Sequence, residues 1–114
     1  MMTEWSDEIF EALAARSQGL YKNKHLLPVA AWIAGCKLDT ISAPDVVRGL
    51  DGRLASNKAL EVLERLQEAG VMHELPYPGR PHARMFERLP GAFWRFAEEF
   101  ASETMPHGKV SPTV

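Results

Sequence analysis

The sequence predicts a mainly α-helical domain that carries one small β-hairpin. Three observations point there. Five stretches repeat apolar side chains at helical spacing. Several of them open on a capping residue or close on glycine. Two short segments alternate apolar and polar residues instead, and they enclose a turn rich in proline and glycine.

The first helix is expected from Asp7 to about Arg16. Ser6 stands at its N-cap, Asp7 and Glu8 favour the positive end of its dipole, and Ile9, Phe10, Leu13 and Ala14 form its apolar stripe. Ser17-Gln18-Gly19 is expected to end it. The second helix is expected from about Lys24 to Cys36, with Leu26, Leu27, Ala30, Ile33 and Ala34 inward. Pro28 is tolerated in its first turn, where no helical hydrogen bond is lost. Thr40-Ile41 reads as a short β-like segment.

Ser42-Ala43-Pro44-Asp45 has the spacing of a capping box and opens a third helix with Val46, Val47 and Leu50 inward; Asp51-Gly52 breaks it. The fourth helix is expected from about Ser56 to Ala69, buried through Ala59, Val62, Leu63 and Leu66 and closed by Gly70. Val71–Leu75 and Arg84–Leu89 are the alternating strands, joined by Pro76–His82. A last amphipathic helix is expected from about Gly91 to Ser102, with Phe93, Trp94, Phe96, Ala97 and Phe100 on one surface.

At 114 residues the chain is expected to form one domain over 1–104, its core at about 24–89, with a flexible tail at 105–114. A hydrophobic share of 46% supports a packed core. The acidic N-terminus has no basic region followed by an apolar run, and no apolar stretch is long enough to span a bilayer. Cys36 is the single cysteine, so no intrachain disulfide forms and a cytoplasmic location is expected. Cys36 itself reads as a buried small apolar residue closing a helix.

No metal site is expected, because His25, His73, His82 and His107 share no ligand spacing with one another or with Cys36. No cofactor and no enzymatic activity are expected, for the sequence has no phosphate-cradling glycine loop, nucleophile elbow or zinc-protease motif. The formal net charge of −2 weighs against nucleic-acid binding, but residues 48–88 are slightly basic, with Arg48, Arg53, Lys58, Arg65, Arg80, Arg84 and Arg88.

Three stretches in order carry a family resemblance: Ile41–Leu50, then Ala55–Met72 with its Ala-Gly-apolar-apolar ending, then Gly79-Arg80-Pro81 followed by Met85–Leu89. Together they resemble the winged helix-turn-helix regulators of the MarR, ArsR and PadR kind. The resemblance implies a winged helix-turn-helix with extra N- and C-terminal helices, acting in transcription regulation through sequence-specific binding of double-stranded DNA. It implies that the start of the recognition helix enters the major groove, where Ser56, Asn57 and Lys58 would meet base edges or phosphates. Arg53 in the turn, Arg65 on the helix, and Arg80, His82 and Arg84 in the wing would contact the backbone or minor groove. Glu61 would accept from cytosine N4 or repel phosphate.

The expected partners are double-stranded DNA, a second copy of the chain and an unidentified small-molecule effector, with no membrane. The homodimer is expected to form through Phe10 and Leu13 of the first helix and Phe93, Trp94 and Phe100 of the last. Plainer roles stay open: Ser56 as a helix cap, Lys58 and Arg65 as solvated charges, Arg80 and Arg84 as decoration on an exposed hairpin. A second function stays open too, a winged-helix module that binds protein and not DNA.

Overall fold

A computed structural model describes residues 6–76 and 84–104. The expected tail at 105–114 and the loop that holds Arg80 and His82 lie outside the described residues. Among those described are five helices, α1 (Asp7–Tyr21), α2 (Leu26–Gly35), α3 (Ala43–Gly49), α4 (Ser56–Glu68) and α5 (Ala92–Thr104), and two strands, β1 (Met72–Glu74) and β2 (Phe86–Arg88). The predicted class, mainly helical with a small antiparallel hairpin, holds.

Helix α1 begins as expected, with the Ser6 hydroxyl accepting from the Ile9 N–H at 3.2 Å. It does not end at Ser17-Gln18-Gly19 but continues to Tyr21. Ser17 is fully buried, and its hydroxyl donates to the Asn23 carbonyl while accepting from the Leu27 N–H at 2.9 Å. A residue type that often breaks helices thus ties α1 to the start of α2. The chain turns at Lys22, which takes a left-handed conformation (φ 56°) and returns its N–H to the Gln18 carbonyl at 2.9 Å.

Helix α2 begins at Leu26, with His25 rather than Lys24 at its boundary. Pro28 sits in its first turn, and the helix is buried nearly all round, as a central helix must be. Its far end is capped from a distance: the Arg88 guanidinium donates to the carbonyls of Ile33 and, at 3.1 Å, Cys36. Cys36 is half-buried, at the edge of the core rather than within it.

The Ser42–Asp45 capping box is formed in both directions, with Asp45 N–H to Ser42 Oγ at 3.3 Å and Ser42 N–H to Asp45 Oδ2 at 2.9 Å. Val46 and Leu50 are fully buried and Val47 partly so. Asp51 and Gly52 both have positive φ (58° and 74°), which reverses the chain before Leu54 returns to the core.

The residue preceding α4 is Ala55, so Ser56 is the first helical residue and not the cap. At the other end the cap is Ala69. Gly70 follows with φ 83°, its N–H on the Gln67 carbonyl and that of Val71 on Leu66, the paired closure that only a left-handed residue permits without strain.

The strands are shorter than predicted and pair antiparallel, with Met72 opposite Arg88 and Glu74 opposite Phe86. Ile41 adds a bridge on the outer side of β2, exchanging both hydrogen bonds with Phe86 at 2.8 Å. The β-like reading of that segment therefore holds at Ile41.

One core gathers residues of α1 to α4 with Met72 and Phe86 of the hairpin; a smaller one joins Ile9, Leu13, Leu27, Ala31 and Ala101. Each fully buried leucine or isoleucine contributes about 1.5–3 kcal/mol. Helix α5 is pinned by the Trp94 indole N–H, which donates to Leu89 at 3.0 Å and Val71 at 3.3 Å.

Candidate nucleic-acid interface

The first turn of α4 projects from the molecule. Ser56, Asn57 and Lys58 are all exposed, while the next residue, Ala59, is buried and seats the helix on the core. With Ala55 preceding, no side chain caps this N-terminus. The amides at the start of α4 thus add partial positive charge next to Lys58. Lys58 lies 3.8 Å from Glu61, with both side chains about half exposed. Arg65 is exposed two turns further along the same face. The helix as a whole is slightly acidic, with Lys58 and Arg65 set against Glu61, Glu64 and Glu68.

Two arginines expected to reach DNA are engaged within the protein. Arg53 is folded back: its Nε donates to Asp7 at 2.9 Å and its Nη1 to the Leu50 carbonyl at 3.1 Å, leaving the side chain 17% exposed. It joins the α3–α4 turn to the start of α1. Arg84 is held by two carboxylates, Glu74 through Nε and Nη2 and Glu64 through Nη1. These bonds raise the affinity of the guanidinium for its proton, and the same contact holds the Glu74 carboxyl below its ordinary range. With three of its five N–H donors engaged and two carboxylates beside it, this guanidinium offers little to a phosphate. Arg80 and His82 lie outside the described residues.

The predicted dimer surface also changes. Phe10 and Leu13 are buried inside the protomer, Phe10 in the larger core and Leu13 in the smaller. They cannot form a surface. Phe93 and Trp94 pack edge to face at 4.9 Å against the larger core, and Phe100 lines the smaller one beneath the Arg16 guanidinium. Phe96 is the most open member of that stripe.

One residue missed in the sequence belongs to this region. His25, at the boundary of α2, stands in the field of Lys58 and Glu61 from α4. Its imidazole is held below the ordinary histidine range, first by burial, then by Lys24 and Lys58, with Glu61 opposing them. The Phe10 ring lies 6.3 Å away. Nothing in the local sequence joins His25 to Lys58; only the packing of α2 on α4 does.

Among the described residues no three His, Cys, Asp or Glu side chains group as metal ligands, and no helix is long and apolar enough to cross a membrane. No family model matches this chain, and searches of curated proteins and of solved structures give no match either.

Proposed function

We propose that the chain is a winged helix-turn-helix transcriptional regulator that binds double-stranded DNA as a homodimer. In this reading α3 and α4 are the helix-turn-helix, β1 and β2 with the Ile41 bridge are the wing sheet, and α1 and α5 are the additional helices. The observation that carries it is the exposed, uncapped first turn of α4, which offers Ser56, Asn57 and Lys58 at the end where backbone amides point outward. An amide, a hydroxyl and an ammonium at that end match the chemistry of base edges and phosphate in a major groove. A dimer would favour inverted half-sites about one helical turn apart.

The test is a gel-shift series on genomic promoter fragments at increasing salt. Salt-sensitive, fragment-selective binding that Asn57→Ala weakens supports the reading; no binding to any fragment contradicts it.

A second reading, a winged-helix module that binds protein, is favoured by one observation. Glu64 and Glu74 neutralise Arg84 at the foot of the hairpin, and α4 carries more acidic than basic residues. In that case the same fragments remain unbound, and a protein partner is lost on charge reversal at Glu61 or Glu68.

A further inference from the structure

We propose that Glu64 masks a phosphate-binding arginine: its carboxylate occupies the Arg84 nitrogen that a backbone phosphate of duplex DNA would otherwise take. The inference rests on the DNA-binding reading above and adds to it a restraint on affinity built into the fold.

The contacts of Arg84 fall into two sets. Glu74, the last residue of β1, accepts from Nε and Nη2 at 2.8 Å each, and the Phe86 ring of β2 lies 5.5 Å from the guanidinium carbon. Both partners belong to the hairpin, so the plane and direction of the fork are fixed without α4. The remaining nitrogen, Nη1, is left to α4, where Glu64 accepts from it at 2.7 Å. That pair is open to solvent, with the two side chains 39% and 45% exposed. A second contact holds the hairpin to α4 independently of Glu64: the Glu74 N–H donates to the Gln67 side chain.

The position of Glu64 links this pair to the first turn of α4. Glu64 and Asn57 lie on one stripe of that helix, two turns and about 10.5 Å apart along its axis. A major groove is about 12 Å wide, the same scale, so a duplex that takes in Asn57 presents backbone phosphate to the stretch of α4 around Glu64. It meets one guanidinium between two carboxylates, an excess of negative charge. Carboxylate and phosphate oxygens accept from a guanidinium in the same way. The Glu64 carboxylate is already held in place by the fold, whereas a phosphate must give up freedom to replace it. Glu64 therefore keeps the contact, and the chain binds duplex without it. Removing Glu64 leaves Arg84 oriented by Glu74, with one donor nitrogen open and no excess negative charge.

The experiment is fluorescence anisotropy with a labelled duplex, titrated at salt from about 50 to about 200 mM. Proteins are the full chain and its Glu64→Ala, Glu64→Ala/Arg84→Gln and Glu87→Ala variants, each checked for folding by circular dichroism. Glu87 stands opposite His73 in the strand pair and makes no hydrogen bond with Arg84, so its variant removes the same charge from the hairpin and leaves the mask in place.

Glu64→Ala is expected to raise affinity several-fold at the lowest salt. It should also steepen the slope of log affinity against log salt by about 0.9, the share of one added phosphate contact. Adding Arg84→Gln abolishes both gains, and Glu87→Ala produces neither. An unchanged slope in Glu64→Ala overturns the mask while leaving DNA binding intact. So does a gain that survives Arg84→Gln or is matched by Glu87→Ala, since charge alone then accounts for it. Absence of salt-sensitive affinity in both wild type and Glu64→Ala overturns the mask and the DNA-binding reading together.

Discussion

Arg84 meets Glu74 through two parallel N–H···O bonds of 2.8 Å each, and its remaining nitrogen reaches Glu64 on α4 at 2.7 Å. One guanidinium thus fastens the foot of the hairpin to the helix beside it. Arg84→Gln would leave two carboxylates facing each other. The groups are 30–45% exposed, so screening limits the cost to about 1 kcal/mol. The pH dependence has a definite sign. Glu74 titrates below 4.5 in the folded chain, so the stabilisation is complete above 4.5 and is lost as pH falls through the lower folded value. Urea midpoints of wild type and variant should differ at neutral pH and converge in acid. Equal midpoints at neutral pH would show that the fork contributes nothing.

Gly49 is required by Trp32. A Cβ at position 49 would lie 2.1 Å from Cε2 of the indole and 2.4 Å from its Nε1, inside any allowed contact. Gly49→Ala must displace a large ring lodged between α2 and α3, and a loss of about 1–3 kcal/mol is expected. Gly19 is the internal control. It lies inside α1 with nothing within 4 Å of a built Cβ, so Gly19→Ala should stabilise by about 0.5–1 kcal/mol. Thermal unfolding of the two variants should shift in opposite directions.

The elements were legible wherever the signal was local. The Ser42–Asp45 box, the Gly70 closure and the apolar stripe of α4 each depend on residues within a turn or two, and all three form. Readings failed where a distant partner decided the outcome. Ser17 does not stop α1, because its hydroxyl finds Asn23 and Leu27 instead of competing for its own backbone. Phe10 and Leu13 are spaced like a surface stripe, yet α2 and α5 lie over it.

The candidate site followed the same division. Exposure of Ser56, Asn57 and Lys58 comes from helical phase, which the sequence carries. The engagement of Arg53 by Asp7 spans 46 positions of the chain, and that of Arg84 by Glu64 joins the segment before β2 to α4. Charge counts along a segment cannot register either. The influence of Lys58 on the His25 imidazole is of the same kind, since α2 and α4 are separated in sequence by the whole of α3.

Ser17 offers a third test. Its hydroxyl is fully buried and serves two backbone groups, as donor to Asn23 and acceptor from Leu27. Ser17→Ala keeps the helix but leaves the Leu27 N–H buried without its acceptor, at a cost of about 1–3 kcal/mol. Hydrogen exchange should locate the damage, with protection lost at Leu27 and the α1–α2 turn and retained in α4. Uniform loss of protection, or none, would contradict the assigned role.

His25 contributes a pH-dependent part of the stability between neutral and mildly acidic pH. Burial and the two lysines place its folded-state value below 6.5, so the unfolded chain binds a proton there more readily than the folded one. The stabilisation is complete above 6.5 and is lost as pH falls through the folded value. The Glu74 pair begins its own loss only below 4.5, so the first loss on acidification belongs to His25. His25→Gln removes the titrating group at a boundary position where the side chain makes no capping bond. Wild type should therefore lose melting temperature from pH 6.5 downward more steeply than the variant, with the two curves parallel above it. A proton-resonance titration that puts His25 at or above 6.5, or curves that stay parallel through the window, would show that the lysines and the burial do not act on this imidazole as described.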